Sequence, residues 1–470
     1  MAADLDLAYR PAAELARMIR SRAISPVEAV RNSFARIAEA DPKLNAFCFV
    51  YEEEALAKAA EAERAIRDGR PLGPLHGVPI ALKDCTPTKG KRTTFGSYAF
   101  EHWVAERDAV EARRLFDAGA ILVGKTTTPE FTYSGFTESP LWGVTRNPWD
   151  LSRTPGGSSG GSGAAVAAGC VAFADGTDSG GSIRIPAALC GIVGLKPSLG
   201  RIPMDILPTG FDQLSHFGPL TRTVEDAALF LAATQGPDDA DPQSLPPLAL
   251  SDPLPREMRG MRLALSIDLG FHTIDEEILA NTRTAAAALA DAGAEIREID
   301  LGWTAELDKA WFQHWGVLLA TCFGDALKSH RDRMDPRLVS LMEQGLKMNA
   351  VDFKRIEILR TRQWRSLAAV FEEHDALICP TMPMPAPPAD RGEKDYNIID
   401  AQGRYRGFDL TGIFNFVSQC PALSVPSGFT RAGLPTALQI VGRRFADSAV
   451  LSIGAALEAA MPWRGRRPPV

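Results

Sequence analysis

Histidine and cysteine are scarce in this chain, and neither is grouped. The seven cysteines stand at 48, 85, 170, 190, 322, 379 and 420, an odd and dispersed set with no C-x-x-C. That pattern argues against a disulfide frame or a zinc ribbon and for reduced thiols. The seven histidines include no H-E-x-x-H or other ligand spacing, so no metal is expected. Long apolar runs are also missing: the longest run of small apolar residues, 164–174, is far short of the ~20 that a membrane helix needs. The first residues carry no apolar signal core, so a cytoplasmic enzyme with no membrane contact is the expectation. A formal charge of −7 argues against nucleic acid or an anionic membrane as partner.

What is present describes an ordinary globular enzyme, with 45% hydrophobic and 23% charged residues over a length of 470. Nothing in the composition marks a boundary, so residues 1–470 read as one unit with a catalytic core at about 75–225. Ser25-Pro26-Val27-Glu28 is a capping box with proline at the first helical position, which predicts a helix from 26 to about 40. Further helical patterns cover 52–68, 108–118, 276–292, 305–329, 351–373 and 446–460, and Thr223 opens another. Short apolar strands are expected at 78–84, 120–123, 171–175, 262–266, 295–299, 422–425 and 437–441. The proline-rich segment 380–388 reads as a loop that rims a pocket. Helices alternating with short strands predict an α/β/α sandwich around one large mixed sheet.

One stretch stands apart. Between Arg153 and Arg201 lie two Gly-Ser knots, Gly156-Gly157-Ser158-Ser159-Gly160-Gly161 and Thr177-Asp178-Ser179-Gly180-Gly181-Ser182, joined by an alanine-rich helical pattern. Such glycine density belongs where backbone passes close to something or takes positive φ. A flexible linker would not be interrupted by AAVAAGCVAFA. Neither knot spells a phosphate loop. Residues 119–126, GAILVGKT, do fit that pattern as letters, but four consecutive apolar residues make a buried strand and leave Lys125 at its end. The G-x-S-x-G elbow also fits 156–160 as letters, without the apolar strand that should precede it.

The run GGSSGGSGAAVAAG followed by GTDSGGSIRIPAALCGIVGLKPSLGR resembles the amidase signature family, which includes bacterial amidases, fatty acid amide hydrolase and the A component of the tRNA-dependent amidotransferase. Pro79-Ile80-Ala81-Leu82-Lys83-Asp84 is similar to the family's lysine-bearing strand, and GLPTALQIVGRRFADSAVL to its C-terminal strand and helix. The resemblance covers about residues 10–460 and implies the same α/β/α fold.

An amide is a poor electrophile with a poor leaving group, so its hydrolysis needs a nucleophile, a base that later serves as acid, and an oxyanion hole. The resemblance assigns these roles to Ser182 as nucleophile, Ser158 as bridging serine and Lys83 as base, with a cis peptide between Gly157 and Ser158. The 24-residue separation of the two serines matches the family's spacing. Backbone amides of Ser179, Gly180, Gly181 and Ser182 would form the oxyanion hole. Asp178 and Arg184 are expected to brace it, and Ser159 to hydrogen-bond within the relay. Thr132 and Tyr133 fall on the segment that would line the acyl pocket, and Tyr133 with Phe131 and Phe136 suggests an apolar or aryl group.

The expected activity is hydrolysis of a small-molecule carboxylic amide through an acyl-enzyme, with no cofactor. The glutamine-hydrolysing A component of a tRNA-dependent amidotransferase is the alternative, disfavoured because Ile185 stands where that protein usually has glutamine. A carbamate or nylon-oligomer hydrolase remains open, as does a homodimer. A catalytically dead scaffold would be expected to lose one of Lys83, Ser158 and Ser182, and all three are here.

Overall fold

The structure, a computed structural model, describes residues 2–400 and 404–470. Eleven strands form one mixed sheet: β1 (Phe47–Val50), β2 (Pro79–Lys83), β3 (Ile121–Thr126), β4 (Phe173–Asp178), β5 (Val193–Lys196), β6 (His216–Thr221), β7 (Arg262–Leu265), β8 (Glu295–Glu298), β9 (Ala376–Pro380), β10 (Ala422–Phe429) and β11 (Pro435–Gly442). Their order across the sheet is β1-β3-β2-β4-β6-β5-β10-β11-β9-β7-β8. β2 runs parallel to both β3 and β4, while β4, β6, β5, β10, β11 and β9 pair antiparallel in turn.

Both faces of this sheet are apolar, and the strand period of two shows it. Along β2, Ile80 and Leu82 enter one core layer and Ala81 the other; along β9, Ala376 and Ile378 face one way and Leu377 and Cys379 the other. The first layer is closed by helices Ala12–Arg20, Val110–Asp117, Val224–Thr234, Glu276–Asp291 and Asp447–Ala460. The opposite face is covered near β2 by Pro26–Leu44, Glu52–Arg67 and Gly160–Ala167, and near β9 by Glu306–Ser329 and Ala350–Glu373. This is the α/β/α arrangement expected from the alternation of elements. Lys83 shares its strand face with Ala81, so the lysine side chain enters the second layer.

The capping box at Ser25 and Glu28 forms as read, but its helix runs on to Leu44, with Pro42 inside the last turn. Four strands lie outside the expected set: β1, β5, β6 and β9. β6 contains Gly218-Pro219, which reads as a breaker; β5 pairs only with Leu220 and Thr221, so the proline sits where the ladder on that side has stopped. β10 and β11 are longer than expected because Pro426 lies at a bulge and Pro435 opens its strand. Segment 380–388 does not rim the pocket described below. It clamps the approach to the first Gly-Ser knot instead, Pro387 O accepting from Thr154 N at 3.0 Å and Ala386 O from Arg153 at 3.1 Å.

Candidate active site

The site is assembled where β2 and β4 end side by side. Lys83, the last residue of β2, is fully buried. Its ammonium nitrogen donates to Ser158 Oγ at 2.7 Å and to Thr177 Oγ1 at 2.9 Å. Burial pulls Lys83 below its ordinary pKa, against the opposing influence of Cys85, Asp175 and Asp178. No histidine among the described residues hydrogen-bonds either serine of the expected triad.

Ser158 is presented by a cis peptide, Gly157-Ser158, as the resemblance implied. The helix Gly160–Ala167 begins two residues later. Ser159 does not join the lysine: its hydroxyl bridges to strand β4, donating to Thr177 O at 3.4 Å and accepting from Thr177 N at 3.3 Å. Its backbone N–H donates to Ser182 O at 3.2 Å, which ties the two knots together. Ser159 therefore ties the first knot to β4 and to the second knot and makes no bond to Lys83.

The second knot turns out of β4 into the seven-residue helix Arg184–Cys190. Two glycines make the turn possible. A Cβ on Gly180 would lie 2.0 Å from Trp311 Cζ2; Gly181 has φ +115° and a Cβ there would lie 1.8 Å from Thr411 Oγ1. The same two neighbours hold the loop's carbonyls: Trp311 Nε1 donates to Ser179 O at 3.0 Å and Thr411 Oγ1 to Gly180 O at 2.9 Å. Because a trans peptide points its N–H opposite its C=O, these bonds aim the Gly180 and Gly181 amides away from Trp311 and Thr411. The Gly181 N–H, expected in the oxyanion hole, is taken by Asp178 Oδ1 at 2.7 Å. The N–H groups of Ser179, Gly180 and Ser182 bond no other described residue. Ser182 itself is half-buried, and its hydroxyl makes no hydrogen bond among the described residues.

Asp178 and Arg184 are both completely buried and paired through two bonds of 2.9 Å. Burial alone would raise the Asp178 pKa, but Arg184 and Asn415 outweigh it and hold the carboxyl well below its usual range. Arg184 also donates to Thr411 O, Gln439 Oε1 and Asn415 Oδ1 at 2.6–3.0 Å, so every lobe of the pair is satisfied. The bracing read from charge and spacing is what these residues do.

Beside Thr177 and Ser179 lies a narrow cavity of about 30 Å³. Its walls come from Phe95, Thr132, Ile206 and, on the helix Glu306–Ser329, Trp315, Leu319 and Phe323. No charged side chain lines it. Thr132 lines this cavity and Tyr133 does not, its hydroxyl donating to Asp335 Oδ2 at 2.8 Å. Phe131 lies behind the wall, stacked on Phe323 at 4.3 Å, and Phe136 packs on Phe408. The helix residues are not legible as site residues because 305–329 shows only an apolar face. Their spacing, 315, 319 and 323, puts them on one side of a helix without saying what that side covers.

Relatives of known sequence and structure match nearly the whole chain. The family described as Amidase matches residues 28–451. The chain belongs to the amidase signature family. It is 37% identical to an acylamidase of Rhodococcus erythropolis over 99% of this chain and 98% of that protein. It is 36% identical to an amidase of Pseudomonas putida over 97% of this chain and 97% of that one. A glutamyl-tRNA(Gln) amidotransferase component from Geobacillus kaustophilus is also 35% identical, over 97% of this chain and 98% of that one. Among solved structures, a bacterial aryl acylamidase of the same family superposes with TM-score 0.92 at 32% identity, covering 97% of each chain. The protein is thus an amidase signature enzyme, an amide hydrolase with this family's large mixed sheet. Among the described residues, no helix is long and apolar enough to cross a membrane.

Proposed function

We propose that this chain, acting as a single amidase unit, hydrolyses an apolar or aryl carboxylic amide through an acyl-enzyme on Ser182. The observation that carries the reading is the buried Lys83 amine 2.7 Å from Ser158 Oγ. Deprotonated, that amine keeps one N–H on Thr177 and turns its lone pair to the Ser158 hydroxyl. Ser158 then accepts the proton of Ser182 as it passes its own to Lys83. The Ser182 Oγ–H bond breaks and an Oγ–C bond forms at the carbonyl. Oxyanion charge falls on the open amides of Gly180 and Ser182, with Ser179 beside them. Return of the proton through Ser158 to the nitrogen breaks the C–N bond and releases the amine. Water repeats the sequence to free the acid and regenerate Ser182.

The uncharged cavity supports an apolar acyl group over glutamine, whose ammonium and carboxylate would enter a wall built of Phe95, Ile206, Leu319 and Phe323. At about 30 Å³ the cavity holds no more than a water or two, so an aryl group enters as these side chains turn aside.

Ser182→Ala tests the nucleophile. Anilide hydrolysis and labelling by a fluorophosphonate are expected to disappear while the circular dichroism and melting curve stay those of the parent. Retained labelling would move the nucleophile elsewhere.

A further inference from the structure

A groove of about 540 Å³ lies apart from the narrow cavity beside Thr177 and shares no lining residue with it. It runs between the helix Glu306–Ser329, the helix Pro336–Leu346 and the hairpin that pairs Ile398–Ile399 with Tyr405–Arg406. The two helices meet at glycines: a Cβ on Gly345 would lie 2.2 Å from Gly316 O. No side chain fills that crossing, and Phe312, Leu341, Met348 and Ile399 give the groove beside it an apolar lining. Its volume is that of a small-molecule site, which runs from roughly 300 to 1,000 Å³. The charged groups on the lining are both cations. Lys309 and Lys347 are exposed, and neither makes a hydrogen bond or ion pair among the described residues. Asn397 Oδ1 accepts from Phe408 N at 2.8 Å, which leaves the amide N–H groups of Asn397 open. Among the described residues no carboxylate lines the groove. Those nearby are committed elsewhere: Glu306 to Arg362 at 3.7 Å, Asp308 to the Tyr405 hydroxyl, Glu343 to Arg331 at 2.6 Å and Asp352 to Arg355 at 2.8 Å.

We infer that this groove is a second ligand site, for a small carboxylate with an apolar body: Lys309 and Lys347 take the carboxylate at the rim, and Phe312, Leu341, Met348 and Ile399 take the rest. The complementarity decides the class. An inorganic anion would leave the apolar lining wet, and a neutral apolar molecule would leave both ammonium groups without a counter-charge, whereas a carboxylate accepts charge-assisted bonds from them. Carboxylic acids are also what an amide hydrolase releases. The groove is one ring away from the second Gly-Ser knot. Phe312 meets Trp311 edge to face with centroids 4.9 Å apart, and Trp311 Nε1 donates to Ser179 O at 3.0 Å. An occupant therefore rests against the ring that packs on the residue shaping that knot.

The test is calorimetric titration of the full chain with phenylbutyrate. Binding is expected in the parent and equally in Ser182→Ala, because the groove does not use the nucleophile, and it should weaken as salt is added. Lys309→Met combined with Lys347→Met should weaken it by about 10-fold or more. Anilide hydrolysis without the probe should stay parental in that variant, since neither lysine touches the active site. Ile399→Ser should weaken the probe from the apolar side. Phenylbutanol, which lacks the carboxylate, and acetate, which lacks the apolar body, should each bind less tightly than phenylbutyrate. The inference is overturned if the parent binds no phenylbutyrate, if the double lysine variant binds it as tightly as the parent, if acetate or phenylbutanol binds as well, or if phenylbutyrate binds only in competition with an anilide.

Discussion

Lys83 and Lys196 are both fully buried at strand ends, both lowered by that burial, and only one of them is placed to do chemistry. Lys196 is pushed down to about 7, by burial and then by Arg184. Yet its nitrogen faces only carbonyls, donating to Cys420 O at 2.8 Å, Pro197 O at 3.2 Å and Ser418 O at 3.4 Å. A carbonyl has no proton to give, so this lysine can only hold its neighbours in place. Lys83 faces two hydroxyls, one of them on the serine that the cis peptide presents. Lys125, which pairs with Leu82 across β2 and β3, shows that a hydroxyl partner alone is not enough: it is also buried, and its partners are Thr86 O and the Thr93 hydroxyl at 2.6 and 2.5 Å. What distinguishes a base from a buried strut is the chemistry of its partner and where that partner leads.

The comparison breaks or sharpens at several points. The largest effect on stability is expected at Asp178, which raises the pKa of both Lys83 and Lys196. Asp178→Asn leaves Arg184 buried without its counter-charge, a change of about 3–5 kcal/mol, visible as a lower urea midpoint together with lost activity. Lys196→Met should orphan three carbonyl contacts and cost about 1–3 kcal/mol while leaving the acid limb of kcat/KM where it is; a moved limb would mean that Lys196 titrates in the reaction. Lys125→Met carries the same expectation, read by melting temperature against the pH profile. The smallest effect is expected at the apolar cavity beside Thr177 and Ser179. Leu319→Ala opens the wall and should shift the kcat/KM ratio of bulky to small acyl anilides by roughly 10-fold or more, with little change for the smallest acyl group. An unchanged ratio would remove that cavity from substrate binding.

Much of this site is written in neighbouring letters. The knots at 156–161 and 177–182 and the strand ending in Lys83 are local patterns, and the family resemblance brings them together. The bracing pair and the two-faced sheet are legible too, because charge spacing and strand periodicity are also local. What cannot be read comes from chain far away. Trp311 and Thr411 shape the second knot from 132 and 231 residues off, and Phe323 and Leu319 look like any core face of a helix. Only the folded loop shows Asp178 reaching back to the Gly181 amide, which removes that amide from the expected oxyanion hole. Nothing near Tyr133 announces Asp335, the residue that draws its hydroxyl away from the pocket. β6 escapes notice because a proline at the edge of a ladder looks, in sequence, like a proline that ends one.

The most direct measurement is kcat/KM against pH for an anilide, in the parent and in Lys83→Ala. A lysine that must be neutral to accept a proton gives activity that climbs as pH rises through its lowered pKa and falls on the acid side. Lys83→Ala should lose that limb and about 10²–10⁴-fold in rate, with a smaller loss on a nitrophenyl ester whose leaving group needs no proton. Near-parental anilide hydrolysis with the same acid limb in Lys83→Ala would make the lysine a strut like Lys196 and contradict the Ser182-Ser158-Lys83 relay.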